Sequence, residues 1–245
     1  MVNDKDGNVI MAELAEYVGQ YDVMLSYALK LAPGYSPEER NLFSDSAEKV
    51  VDDLRRRQHL LGVLEGEVSG SGEAGSLRLS LIKKYKVDLY ERHKQIVLSE
   101  VIPCAELQLE AAANDNYEGQ VFFEKIIAKQ YQWLSECSCG VDQEENSEQA
   151  EVHYKNAVEI ASQYLPSTEP ARLRSVLAYS AFLYEIKHDS RNAIRVARNA
   201  FDTAIENLES LDEESYKDST LILQLLRDNL TLWNDLSESK NNGQA

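Results

Sequence analysis

The sequence predicts an all-α single domain of about nine antiparallel helices. Three observations lead there. Only 5 prolines interrupt 245 residues, and the long stretches between them are rich in Ala, Leu, Glu and Lys, a composition that favours helix. Apolar residues recur at three- and four-residue spacing, with no strand signal. The connections between the later helical stretches are short, so sequential neighbours should pack antiparallel.

Taken in order, residues through about Gly7 are polar and read as loose. Val9–Gly19 and Tyr21–Leu31 read as short helices, the second ended by Pro33-Gly34. Ser36-Pro37-Glu38-Glu39 is a helix start, with Ser36 as N-cap, proline in the first turn and acids behind it. A long helix then runs to about Glu67, Gly66–Gly75 reads as a flexible loop, and a second long helix spans Leu77–Val101. Cys104–Glu118 either extends that helix or forms an irregular excursion. Gln120–Cys139 is a helix, Gly140–Ser147 a polar loop, and Glu148–Tyr164, Pro170–Lys187, Arg191–Leu208 and Glu213–Asp235 are four more helices. Helices up to about residue 101 form one functional part and the rest another, with 236–245 expected to be a disordered tail.

Composition narrows the function. With 43% hydrophobic and 27% charged residues the chain is too apolar to be disordered. A net charge of −17 argues against nucleic acid and anionic membranes as partners. No apolar run approaches the roughly 20 residues that span a bilayer. Cys104, Cys137 and Cys139 are odd in number and lack C-x-x-C spacing, so they read as free thiols of a cytoplasmic protein. The four histidines form no metal-binding pair, no cofactor motif appears, and no nucleophile–base pair or phosphate-cradling glycine loop suggests an enzyme.

The stretch Leu211–Trp233 is the most informative. Leu221, Ile222, Leu225, Leu226, Asn229, Leu232 and Trp233 share one broad helical face, apolar except for Asn229. Glu213 through Trp233 resembles the C-terminal helix signature of the 14-3-3 family, and further wording of that family recurs in Arg40-Asn41-Leu42, Ile102-Pro103, Val121-Phe122, Pro170 with Arg172-Leu173, Tyr184-Glu185-Ile186 and Ala200-Phe201-Asp202. Relative to the family, the loop near residue 70 is shortened and several residues are inserted around 104–119. The resemblance implies a dimeric, non-enzymatic adaptor whose concave groove binds phosphoserine or phosphothreonine segments of client proteins.

It also implies site residues. The family's phosphate pocket uses a Lys and an Arg on the third helix, an Arg-Tyr pair on the fifth and an Asn on the seventh, because a dianion leaving water needs charge-assisted donors. Here those positions match Glu48, Arg55, Gln132-Trp133 and Ala178. Lys49 lies beside Glu48, about 100° round the helix, and a one-residue register shift would pair it with Arg56. Lys129 and Arg174 stand where the family has an acid and a glycine, and Lys125 lies one turn before Lys129. Three outcomes stay open: an anion site relocated to Arg55, Lys129 and Arg174 with Lys125 and Trp133 nearby, a lost phosphate preference, or a site kept by Lys49 through the shifted register. The opposite wall keeps the family's peptide-gripping residues: Leu177, Ala181, Ile222, Leu225, Leu232 and Trp233, with Glu185 and Asn229 for the ligand's main chain.

In the family the first four helices carry the dimer contact, implying Leu14, Val18, Gln20, Val23, Leu81 and Tyr85 here. Family ion pairs match Val23 with Leu81 and Gln20 with Tyr85, so a homodimer that excludes ordinary family members is expected. Ser237 and Ser239 in the tail suggest a self-ligand for the groove. A scaffold for unphosphorylated or acidic segments is the main alternative, and a helical-repeat scaffold is a more distant one, without visible repeats.

Overall fold

Ser36 opens the longest early helix by a reciprocal cap: its main-chain N–H donates to Glu39 Oε2 at 2.8 Å, and Glu39 N–H donates to Ser36 Oγ at 3.3 Å. The computed structural model describes residues 4–68, 72–112, 116–208 and 213–242, without the side chains of 4, 72–74, 213–215 and 237–242. All regular structure among them is helical. The helices are α1 (Asp4–Tyr17), α2 (Tyr21–Ala28), α3 (Pro37–Val68), α4 (72–111), α5 (Tyr117–Cys137), α6 (Val141–Tyr164), α7 (Pro170–Glu185), α8 (Ser190–Asn207) and α9 (Glu213–Asn242).

Several boundaries differ from expectation. The glycine-rich Gly66–Gly75 stretch is mostly helical: α3 continues to Val68 and α4 begins at Gly72, while 69–71 lie outside the described residues. Gly140–Ser147 is not a loop. Gly140 turns the chain at φ +64°, and α6 starts directly at Val141, with Asp142 and Glu144 at its positive end. The tail is helical rather than disordered through Asn242. The side chains of Ser237 and Ser239, the expected self-ligand, lie outside the described residues.

Helix α4 answers the question left open at Cys104–Glu118. It runs Gly72–Ile96, takes a π turn over Val97–Val101, and resumes as Ile102–Ala111. Pro103 has no N–H to give and its ring crowds the preceding turn. Ile102 N–H reaches back five residues to Val97 O, the wider spacing that lets a helix pass such a residue.

Contacts gather the chain into two compact units, Met1–Ala111 and Ala112–Ala245, a division ten residues beyond the expected one near 101. In the first, Gln108, buried on α4, accepts from Gly34 N–H at 2.8 Å and Tyr35 N–H at 3.2 Å. Tyr35 OH donates to Ala28 O at 3.0 Å. The turn between α2 and α3 is thus tied to α4 by otherwise orphaned backbone donors. Ala12, Ala15 and Met24 form the small core under α1 and α2.

In the second unit, alanine rows let helices approach closely: Ala157 and Ala161 of α6 pack with Val121, and Ala193, Ala197 and Ala204 of α8 join a larger core with α7 and α9. Trp233 stacks on Tyr184 with ring centroids 4.8 Å apart. Ser219 Oγ donates to Thr168 O at 2.7 Å, and Arg172 to Leu165 O at 2.8 Å, fastening α9 and the α6–α7 connection to the start of α7.

Candidate functional site

Three helices of the second unit surround a hollow of about 340 Å³, two of them with a pair of residues one turn apart and the third with four. Helix α5 supplies Lys125 and Lys129, and α9 supplies Leu225 and Asn229. Helix α7 supplies Arg174, Leu177, Ala178 and Ala181, a single face by their three- and four-residue spacing. The surface of the hollow is mainly apolar, with three cations and one amide as its polar groups.

Each wall is held from behind. On α5, Glu124 is buried, bonded to His153 Nδ1 at 2.6 Å and to the Asn156 amide at 3.3 Å. These contacts join α5 to α6. Lys125 Nζ lies 5.7 Å from the centre of the Phe122 ring, a cation–π distance. Beneath Ala178 lie Ala128, Ala150, Tyr154 and Phe182, while Leu177 rests on the α7–α8–α9 core. Lys129 and Arg174 are exposed. Burial and the nearby Glu118 carboxylate push the Glu169 carboxyl up, and Arg174 pulls it the other way, so Arg174 stands in the field of an acidic neighbour.

The structure sorts the expected residues. Lys125, Lys129, Arg174, Leu177, Ala181, Leu225 and Asn229 line one hollow. Trp133 does not: it is 1% exposed, inside the core. Each four-residue step drifts about 40° around a helix, so the stripe that shows Lys125 and Lys129 outward has turned inward by Trp133. Gln132 instead bonds Glu136 and accepts from Tyr154 OH, both at 2.8 Å. Ile222 and Trp233 are buried in the α7–α8–α9 core and do not line the hollow. Leu232 and Glu185 are exposed but do not line the hollow. Sequence reasoning missed Ala178 as a lining residue in its own right; it stands one turn after Arg174, a spacing that could have flagged it.

Arg55 and Lys49 belong to the first unit. Arg55 pairs with Asp52 at 3.5 Å, and Lys49 with Glu16 of α1. That bond raises the Lys49 ammonium's affinity for its proton. Arg56, its partner in the shifted register, bonds Asp53. Both cations of that register are therefore engaged with carboxylates. Also in this unit, Leu14, Val18, Gln20, Val23, Leu81 and Tyr85 are all exposed. Among the described residues no cluster could hold a metal ion, and no helix is long and apolar enough to cross a membrane.

A profile of the 14-3-3 protein family matches residues 11–234. The chain belongs to the 14-3-3 family. It is 37% identical to 14-3-3 protein epsilon of Drosophila melanogaster over 235 residues, covering 95% of this chain and 88% of that one. It is 37% identical to 14-3-3-like protein B of Hordeum vulgare over 240 residues (96% and 90%). Against 14-3-3 protein eta of Bos taurus it is 35% identical over 249 residues, covering both chains in full. The 14-3-3 proteins are adaptors that bind phosphopeptides and are not enzymes.

Proposed function

We propose that this 14-3-3 chain is a homodimeric adaptor that holds phosphoserine or phosphothreonine segments of client proteins, with the phosphate bound by Lys129 and Arg174 and supported by Lys125. The observation that carries the reading is that these three cations line one mainly apolar hollow together with the Asn229 amide. A phosphate dianion gains most from a guanidinium fork and nearby ammonium groups. An amide in the same hollow can both donate to and accept from a peptide bond, whatever the side chains. The reading needs nothing from Arg55, which Asp52 accompanies.

Dimerisation draws on the first unit, where Leu14, Val18, Val23, Leu81 and Tyr85 leave large apolar side chains in water. A second copy covering them removes that cost. Three free cysteines fit a reducing, cytoplasmic setting.

The test uses three fluorescein-labelled peptides that differ only in a central phosphoserine, serine or aspartate. Their binding to the full chain and to the Lys129→Glu, Arg174→Glu double variant is followed by fluorescence anisotropy at two salt concentrations. The phosphoserine peptide should bind most tightly to the parent, weaken with salt, and lose roughly tenfold or more in the double variant. Equal affinity for the serine peptide, insensitive to salt, would establish the alternative of a phosphate-independent scaffold. An unchanged phosphoserine affinity in the double variant would remove Lys129 and Arg174 from the site.

A further inference from the structure

Helix α8, which takes no part in the hollow, carries a stripe of one charge on the surface of an otherwise acidic chain. Arg191, Arg195 and Arg198 follow one another at four- and three-residue spacing, within an arc of about 60°. All three are exposed. The opposite side of the helix is alanine, with Ala193, Ala197 and Ala204 fully buried against α7 and α9. Among the described residues no carboxylate forms an ion pair with any of the three arginines. Arg195 Nε donates to Asn192 Oδ1 at 3.3 Å, which leaves most of its N–H groups without a partner. Asp189, the cap of α8, is already committed: its Oδ1 accepts from the Asn192 main-chain N–H at 3.1 Å and its Oδ2 from the Asn192 side-chain amide. Those two bonds, and then the Arg191 and Arg195 charges, hold its carboxyl below the usual range.

The stripe burdens the helix that bears it. Like charges one turn apart repel, and a cation in the first turn opposes the positive end of the helix dipole. Helix α8 has Arg191 in that turn and no acid there. Asp202, also exposed, stands one turn beyond Arg198 and ends the stripe after about 10 Å.

We infer that the outer face of α8 docks a short acidic segment of a partner protein, its carboxylates held by the forks of Arg191, Arg195 and Arg198. Three features select this occupant. Every cation is an arginine, whose planar fork takes a carboxylate through two parallel bonds. An extended chain rises about 3.3 Å per residue, so about three or four residues cover the stripe. The net charge of −17 repels long polyanions. Nucleic acid and anionic membranes would bring charge far beyond the stripe, whereas a short acidic run confines it to the three arginines. The stripe shares no residue with the hollow, so this docking stands apart from the phosphate reading.

The experiment follows a fluorescein-labelled peptide with a short run of Asp and Glu, beside its neutral Asn and Gln counterpart. Binding to the full chain is read by fluorescence anisotropy at two salt concentrations. The acidic peptide should bind, weaken with salt, and outcompete the neutral one. Arg191→Glu, Arg195→Glu and Arg198→Glu together should lower its affinity roughly tenfold or more. Lysine at the same three positions keeps the charge without the fork and should lower it by a smaller factor. The Lys129→Glu, Arg174→Glu variant should bind the acidic peptide as the parent does. Thermal melts report the folding of each variant independently. No binding, equal binding of the neutral peptide, or an affinity that the hollow variant lowers as much as the stripe variant does would overturn the inference. So would tighter binding at the stripe by a single-stranded oligonucleotide or by phosphatidylserine vesicles. Sedimentation that shows assembly beyond a dimer, lost in the glutamate variant, would give the stripe to a second copy instead.

Discussion

His93 is 6% exposed on α4, in a small cavity of the first unit that Asp22, Asp53, Arg57 and Arg92 also line. Burial, aided by the Arg57 charge and opposed by Asp22, pushes its pKa down to about 4. The folded state therefore prefers neutral imidazole, whereas the unfolded chain protonates near 6.5. The contribution to stability is complete above pH 6.5, shrinks as pH falls towards 4, and is flat below that, a loss of roughly 3 kcal/mol in all. Urea unfolding of the parent and of His93→Gln at pH 7, 5.5 and 4.5 should show the parent losing more stability on acidification; parallel losses would assign the effect elsewhere. Single side chains also show where sequence reading reached its limit. Asn229 stood out as the one polar residue on an apolar helical face, whereas Lys125, Lys129 and Arg174 entered through the family resemblance. The division between Leu221, at 68% exposure, and Ile222, at 4%, was not legible. Seven apolar-face positions of α9 span too wide an arc to share one environment, and spacing alone does not say where that arc meets solvent.

At the scale of elements, the start of α5 lies at the end of the insertion near 104–119. Asn116 Oδ1 accepts from Gly119 N–H at 3.0 Å and closes the helix. A Cβ on Gly119 would fall 2.6 Å from the Asn116 amide nitrogen, so cap and glycine depend on each other. Asn116→Ala should cost about 1 kcal/mol. Gly119→Ala should destabilise the parent by displacing the cap, but become neutral or stabilising in the Asn116→Ala background, where only the helix preference of alanine remains. A double-mutant cycle by chemical denaturation reads this directly, and additive effects would dissolve the coupling. Element starts with specific chemistry, such as Ser36 to Glu39, were readable in advance. Gly140–Ser147 was not, because Asp, Gln and Glu suit a loop by polarity and a helix by propensity. The decision rests on Gly140 alone turning the chain.

For the whole molecule, helix number and order were legible along the chain, since long periodic segments and short connections leave few arrangements. Partner choice was legible only as an expectation, because it depends on a second copy. Val23 and Leu81, which the resemblance matches to a family ion pair, are exposed. Co-expression with a differently tagged ordinary member, read by native mass spectrometry, should give two homodimers and little mixed dimer, because a lone Asp or Lys would face an apolar group. Abundant mixed dimer would refute this exclusion.

The three helices around the hollow carry a further consequence. Each turns its opposite face into packed core, so under the proposed function the walls are held in place by packing before a client arrives. The ordering cost of association therefore falls almost wholly on the client segment. Clients stiffened near the phosphorylated residue, by proline or by a local turn, will be favoured on entropy alone. Differences among clients will appear mainly in how long they stay rather than in how fast they arrive.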